Sequence, residues 1–180
     1  MVKFVQKEAS FKLWTFTDYF VTDLHKRVLE DSEQFDFYKI QKDRTSRPNR
    51  IYMHQYDIDS FKECVSLFTS KYVKTEFSEV AGQDFTDCRT RIELCKDSAG
   101  SWLIEHTDDP AKLSSMQIFL TDSAVSTSFD GESTIAKSNS GWFFVNTGVE
   151  KHGLPPLKAD RVSIIVNWVD ANWKDSSVLI

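Results

Sequence analysis

A mainly β fold with helices at its N-terminal end is what this 180-residue sequence predicts, and three observations predict it. Beyond Asp87 the chain breaks into about seven short apolar segments separated by turn residues, the texture of a β-sandwich or barrel. Asp130-Gly131, set between two of these segments, is the strongest short-range hairpin signal in the chain. Ahead of Asp87, the residues Ile58, Phe61, Val65, Phe68 and Tyr72 recur by threes and fours, which stacks them along one face of a helix. The expected organisation is a single domain, residues 1–180, with a helical support region to about residue 86 and a β core from about 87 to 170.

Taken in order, Lys3–Gln6 alternates apolar with polar residues. Thr17–Asp31 reads as a helix, with Phe20, Leu24 and Val28 at four-residue steps facing a core. Phe35–Gln41 alternates as a strand, Lys42–Arg50 is a polar loop carrying Pro48, and Ile51–Tyr56 reads as a second strand. Ser60 and Glu63 fit a capping box, which starts the next helix near Asp59–Ser60. A continuation or a second helix runs through Val73, Phe77 and Val80, with Gly82 as its stop. Arg89–Lys96 and Ser101–His106 flank Asp97-Ser-Ala-Gly100 as a hairpin. Leu113–Leu120, Ser126–Phe129, Ser133–Lys137, Gly141–Thr147 and Arg161–Val169 complete the strands, and residues 171–180 read as a polar tail.

Composition narrows the function. A hydrophobic content of 41% with 14 Phe supports a packed globule. The net charge of -5 argues against a broad nucleic-acid-binding face. Cys64, Cys88 and Cys95 make an odd set at scattered spacing, neither a disulfide framework nor a zinc ligand set. The N-terminus lacks the apolar run of a signal peptide, and no later stretch approaches the roughly eighteen apolar residues of a membrane span. The simplest expectation is a soluble protein of the reducing cytoplasm.

The chemistry concentrates between His106 and Arg161. His106 and Asp108 are two residues apart, so on a strand they project to one side while Thr107 projects to the other. With His152 they supply two imidazoles and one carboxylate, the facial set that holds non-haem Fe(II) and leaves its other positions open. The pair alone is weak: a hydrogen-bonded histidine at a strand end, with Asp108 capping the turn before Pro110, explains it equally simply. His152 alone is an ordinary loop histidine, and His25 and His54 lack a carboxylate at useful spacing. Arg161 opens a strand whose other face carries Val162, Ile164, Val166 and Trp168, and it shares its own face with Ser163, Ile165 and Asn167. Its planar fork suits a carboxylate held through two parallel bonds. A salt bridge to Asp160 or Asp170 is the structural alternative, and for Arg161 by itself the two readings weigh the same.

With these residues placed, the segment from about Arg89 to Val169 resembles the 2-oxoglutarate/Fe(II) oxygenases, most closely their prolyl-hydroxylase-like branch. The resemblance rests on H-T-D-D-P-A-K at His106, M-Q-I-F-L-T-D at Met116, G-W-F-F-V-N-T-G at Gly141, E-K-H-G at Glu150 and R-V-S-I-I-V-N-W at Arg161. It implies a double-stranded β-helix (a cupin-like jelly roll) backed by helices. It also implies His106, Asp108 and His152 as catalytic iron ligands, and Arg161, assisted by Ser163, as the partner of the C5 carboxylate of 2-oxoglutarate. Phe119 stands about where relatives often carry a Tyr that makes a second contact, so Gln117, two residues earlier on that face, becomes the candidate. The nucleic-acid-demethylating branch carries a second Arg where this chain has Asn167, which counts against nucleic acid as substrate. The activity implied is a dioxygenase that consumes O₂ and 2-oxoglutarate, releases succinate and CO₂, and hydroxylates a small molecule or a protein residue. The competing readings are a jelly-roll module that binds ligand without turnover and a cupin-type metalloenzyme that does not use 2-oxoglutarate. The arginines of the 44–50 loop and Tyr52 could bear on an acidic or peptide substrate, though a solvated loop explains them better. Trp142 and Phe144, alternating on their strand, are better read as core than as pocket.

Overall fold

The computed structural model describes residues 2–7, 9–33, 50–53, 58–134 and 136–174. Among these, eleven strands form two antiparallel sheets, with three helices against the larger one. In chain order the strands are β1 (Lys3–Gln6), β2 (Leu13–Thr17), β3 (Arg50–Met53), β4 (Arg89–Asp97), β5 (Leu103–His106), β6 (Ser114–Phe119), β7 (Ser128–Phe129), β8 (Glu132–Ser133), β9 (Ser140–Val145), β10 (His152–Leu154) and β11 (Arg161–Val169). The helices are α1 (Leu24–Glu33), α2 (Asp59–Thr69) and α3 (Lys71–Ala81). The seven-stranded sheet runs β1-β2-β9-β6-β11-β4-β3, and the four-stranded sheet runs β5-β10-β7-β8.

Period-two alternation on the central strands decides what each face of the larger sheet does. Ile92 and Leu94 of β4, Met116 and Ile118 of β6, Phe143 and Val145 of β9, and Val162, Ile164, Val166 and Trp168 of β11 share one core with the helices. The helices contribute Leu24, Val28, Phe61, Phe68, Val73 and Phe77 to it. The opposite face divides. Toward β2 and β9 it is apolar, with Leu13, Phe119, Trp142 and Phe144 packed on Phe129 of the smaller sheet. Toward β4 and β11 it carries Arg91, Glu93, Asp97, Ser115, Gln117, Arg161, Ser163 and Asn167, all buried. So many buried polar groups must satisfy one another or line a cavity; here they do both.

The main strands, the turn at Asp130-Gly131 and the Gly82 stop follow the sequence expectation. The second strand of that hairpin, however, is Glu132–Ser133 rather than the expected Ser133–Lys137, beyond which Ala136 makes only an isolated bridge to Ser123. Asp130 and Gly131 both take positive φ, 50° and 83°, in the turn joining β7 to β8. Gly82 caps α3 in the left-handed region at φ 66°.

Four further expectations need correction. The first helix does not begin at Thr17: Leu13, Trp14, Thr15 and Phe16 pair between β1 and β9 instead, and α1 starts only at Leu24. Arg89–Lys96 and Ser101–His106 form no hairpin. β4 lies in the larger sheet and β5 in the smaller, and the link between them bonds to Leu157 through Gly100 N–H and Ser101 C=O. The Ser60–Glu63 capping box does not form, since Ser60 donates to Asp31 at 2.6 Å and Glu63 receives both terminal nitrogens of Arg27 at 2.8 Å. Tyr72 is 73% exposed: the chain turns extended at Ser70, ψ 141°, so the helical phase of α2 does not carry into α3. Two strands, β2 and β10, lie where none was expected. The expected strand at 35–41, the loop over 42–49, His54 and the end of the 51–56 strand fall outside the described residues.

Candidate metal centre

Both histidines of the candidate triad stand on the smaller sheet. His106 ends β5 and His152 begins β10, and the two are direct cross-strand partners with ring centroids 4.5 Å apart. Asp108 follows β5, two residues on. The ligand atoms of His106, Asp108 and His152 all lie within 4.8 Å of one another, a group that could hold a metal ion. His152 Nε2 and Asp108 Oδ2 are 4.0 Å apart. Local bonds orient the rings: His106 Nδ1 lies 3.0 Å from the Ile104 carbonyl and His152 Nδ1 3.2 Å from that of Glu150. The turn-capping role weighed for Asp108 falls to Asp109 instead, whose carboxylate accepts from Ala111 N–H at 2.8 Å.

The electrostatics favour metal-ready protonation states. Burial pushes the Asp108 carboxyl up, but the Lys112 ammonium, the charge interaction with His152 and hydrogen bonds from Lys112 and Ser115 outweigh it and hold the carboxyl down to about 2. Burial pushes His152 down, to about 4, against the pull of the Asp108 carboxylate. Near neutral pH the pair is therefore a carboxylate and a neutral imidazole, the forms a metal takes. The side chain of Asp108 is only 7% exposed, and Lys112 Nζ contacts its Oδ1 at 2.6 Å.

A cavity of about 480 Å³ opens on the triad and is also lined by Arg91, Gln117, Trp142, Arg161 and Asn167. Trp142 thus serves both roles weighed for it, while Phe144 is core. Arg161 is 1% exposed and donates from Nη2 to Asp97 Oδ2 at 2.8 Å, with the Phe119 ring 5.4 Å from its guanidinium carbon. The acid beside it is thus Asp97, its partner across β4, rather than Asp160 or Asp170. Gln117 Nε2 donates to Ser163 Oγ at 2.8 Å, and Thr127 Oγ1 donates to Gln117 Oε1 at 3.0 Å. A larger groove of about 1020 Å³, between β1–β2 and the β7–β8 hairpin, contains none of these groups.

Sequence reasoning missed Lys112, Ser115, Arg91, Glu93 and Asp97. Their signal was parity: Arg91, Glu93 and Asp97 alternate along β4 on the face opposite Ile92 and Leu94, and Ser115 shares its face with Gln117.

No protein-family model and no curated protein matches the chain. Solved structures do match it. A prolyl-4-hydroxylase of Pseudomonas putida superposes with a TM-score of 0.70 over 91% of this chain and 95% of its own, at 10% identity. A prolyl hydroxylase from Trichoplax adhaerens, in complex with a hypoxia-inducible-factor oxygen degradation domain peptide fragment, gives 0.66 over 88% and 83%, at 13% identity. HygX of Streptomyces hygroscopicus, with nickel, 2-oxoglutarate and hygromycin B bound, gives 0.64 over 92% and 85%, at 9% identity. The chain has the fold of the prolyl-hydroxylase-like 2-oxoglutarate/Fe(II) oxygenases. In this double-stranded β-helix the larger sheet, braced by the helices, supplies Arg161, Ser163 and Gln117, and the smaller sheet supplies both histidines. Among the described residues, no helix is long and apolar enough to cross a membrane.

Proposed function

We propose that the chain is an Fe(II)- and 2-oxoglutarate-dependent dioxygenase that hydroxylates a small molecule or a protein residue with release of succinate and CO₂. The observation that carries the reading is the convergence of His106 and Asp108 with the distant His152, their ligand atoms within 4.8 Å of one another. Two nitrogens and a hard carboxylate oxygen suit Fe(II) and leave half of an octahedral shell free. Bound there, Fe(II) would supply the redox chemistry that couples oxidative decarboxylation of 2-oxoglutarate by O₂ to oxidation of a C–H bond.

The chain's own residues do the rest. His152 and Asp108 stand ready in their ligating protonation states. Arg161 binds the C5 carboxylate of 2-oxoglutarate, assisted by Ser163. Gln117, held between Thr127 and Ser163, orients that hydroxyl. Phe129, Trp142 and Phe144 wall the apolar end of the interior against water. Both substrate classes stay in the reading because one structural neighbour carries a peptide fragment and another hygromycin B. Cys64, Cys88 and Cys95 form no disulfide among the described residues, which suits a cytoplasmic enzyme.

The test is spectroscopic. Fe(II) and 2-oxoglutarate added without oxygen should give a weak visible charge-transfer band, and admitting air should release succinate. Absence of the band with Fe(II) bound would favour a metalloenzyme that does not use 2-oxoglutarate. A band without succinate on exposure to air, across a metabolite and peptide screen, would favour a binding module.

A further inference from the structure

Ser115 ends a chain of hydrogen bonds whose directions are fixed by chemistry. A guanidinium can only donate, and Arg91 gives Nη1–H to Asn167 Oδ1 at 2.8 Å while Nη2 meets Glu93. With its oxygen engaged, Asn167 turns its amide nitrogen to Ser115 Oγ at 2.8 Å and to the Ser114 carbonyl at 3.3 Å. Ser115, having accepted, gives its one proton to Asp108 Oδ2. Lys112 holds the other oxygen, Oδ1, at 2.6 Å. Arg91, Glu93, Ser115 and Asn167 are all buried, along the wall of the cavity that opens on the triad. The Oδ2 that Ser115 grips is the oxygen 4.0 Å from His152 Nε2.

We propose that Ser115 and Lys112 are positioning residues that confine Asp108 to metal ligation through one oxygen, with Asn167 and Arg91 fixing the Ser115 hydroxyl. This rests on Asp108 being a metal ligand. A carboxylate can offer one oxygen or two, and a second would take a position that the cosubstrate or O₂ needs. The Lys112 ammonium withholds Oδ1, while the Ser115 hydroxyl sets the direction of Oδ2. Partners of this kind fix ligand orientation and are typically worth 10–100-fold in metal affinity. Asn167, a departure from the two-arginine pattern of nucleic-acid demethylases, thereby acquires a role.

Co(II) is the probe, followed by calorimetry and visible absorption of the full chain, with near-ultraviolet circular dichroism to report folding. The wild type should bind one Co(II), and Asp108→Ala should not. Ser115→Ala and Asn167→Ala should each weaken binding about 10–100-fold, and Ser115→Thr, which keeps the hydroxyl, should restore most of it. Because Asn167 acts through Ser115, the double variant should bind no more weakly than Ser115→Ala, within about twofold. Lys112→Met frees Oδ1 to join Oδ2 on the metal, so it should change the visible Co(II) band, and an unchanged band in the folded variant overturns the role of Lys112. Unchanged affinity in folded Ser115→Ala, or full additivity of Ser115→Ala with Asn167→Ala, overturns the chain. Should Ser115→Ala not fold, Asn167→Ala decides alone, and wild-type affinity there overturns it. If wild type and Asp108→Ala bind Co(II) alike, the metal-site reading itself fails.

Discussion

His106 and His152 face one another as direct partners across β5 and β10, with imidazole centroids 4.5 Å apart. That register brings two residues 46 positions apart to one point, and a slip of one residue would send either ring to the opposite face of the sheet. The pairing shifts just beyond, between His152 and Leu154. There Gly153 lets the strands close up: a Cβ on it would lie 3.0 Å from the Leu103 carbonyl. Asp108, on the loop after β5, completes the group without belonging to either strand.

Removing that carboxylate tests the group most directly. Asp108→Ala leaves only two imidazoles for a divalent cation, so Fe(II) affinity should fall by about 100-fold or more, beyond what the loss of an outer hydrogen bond costs. Turnover should vanish with it. Equilibrium titration with Fe(II) or Co(II) checks this, and full activity in the variant would remove Asp108 from the ligand set.

Arg161→Lys keeps a positive charge but loses the two-pronged fork. A charge-assisted hydrogen bond contributes about 1.5–3 kcal/mol, so the requirement for 2-oxoglutarate should rise roughly 10- to 150-fold. Metal affinity should not move, because Arg161 lies at the Asp97 end of β4 and β11 while Asn167 and Arg91 sit at the other. Steady-state kinetics against 2-oxoglutarate, set beside a metal titration, separate the two effects.

The metal-free protein should weaken in mild acid. His152 has a folded pKa of about 4, below its ordinary 6.5, because burial disfavours its charged form. Its contribution is therefore complete above pH 6.5 and is lost as pH falls toward 4, a change of ~3 kcal/mol at most. Asp108, held near 2 against an ordinary 3.8, withdraws its own contribution lower still, as pH falls from 3.8 through 2. Urea denaturation of the metal-free chain at pH 7 and pH 4.5 measures the first step. His152→Gln should flatten it, and an unchanged slope would show that another group carries the proton.

What the sequence made legible was whatever depends on local pattern. The parity of Arg161 through Trp168 assigned both faces of β11 before any partner was known. The spacing of His106 and Asp108 placed two candidate ligands, and a single glycine marked the end of α3. What it hid depends on distant pairing. Leu13–Thr17 forms a strand only because β1 and β9 lie on either side of it, and β10 is three residues long, too short for any period to emerge. Asp97 looked like a turn residue until its partner Arg161 closed over it. Lys112, four residues beyond Asp108, has the spacing of a helical ion pair, yet it folds back along a loop onto that carboxylate.

Phe77→Ala separates the stability of the scaffold from the function of the site. Phe77 is fully buried, with the rings of Phe4, Phe143 and Trp168 at 5.0, 4.9 and 5.0 Å. Truncating such a residue removes transfer free energy and leaves a cavity, a loss of about 3–5 kcal/mol. For a chain of this length the melting temperature should fall by roughly 10 °C or more. Phe143 and Trp168 lie on the helix-facing side of the larger sheet, whereas Gln117, Arg161 and Asn167 lie on the other. Co(II) affinity per folded molecule should therefore stay within about twofold of wild type, as expected for sites that share no partner. A melting curve and a titration at low temperature decide this. A large change in affinity with the fold intact would mean that the helix-packed core, and not only the inner face of the sheet, sets the geometry around Asp108.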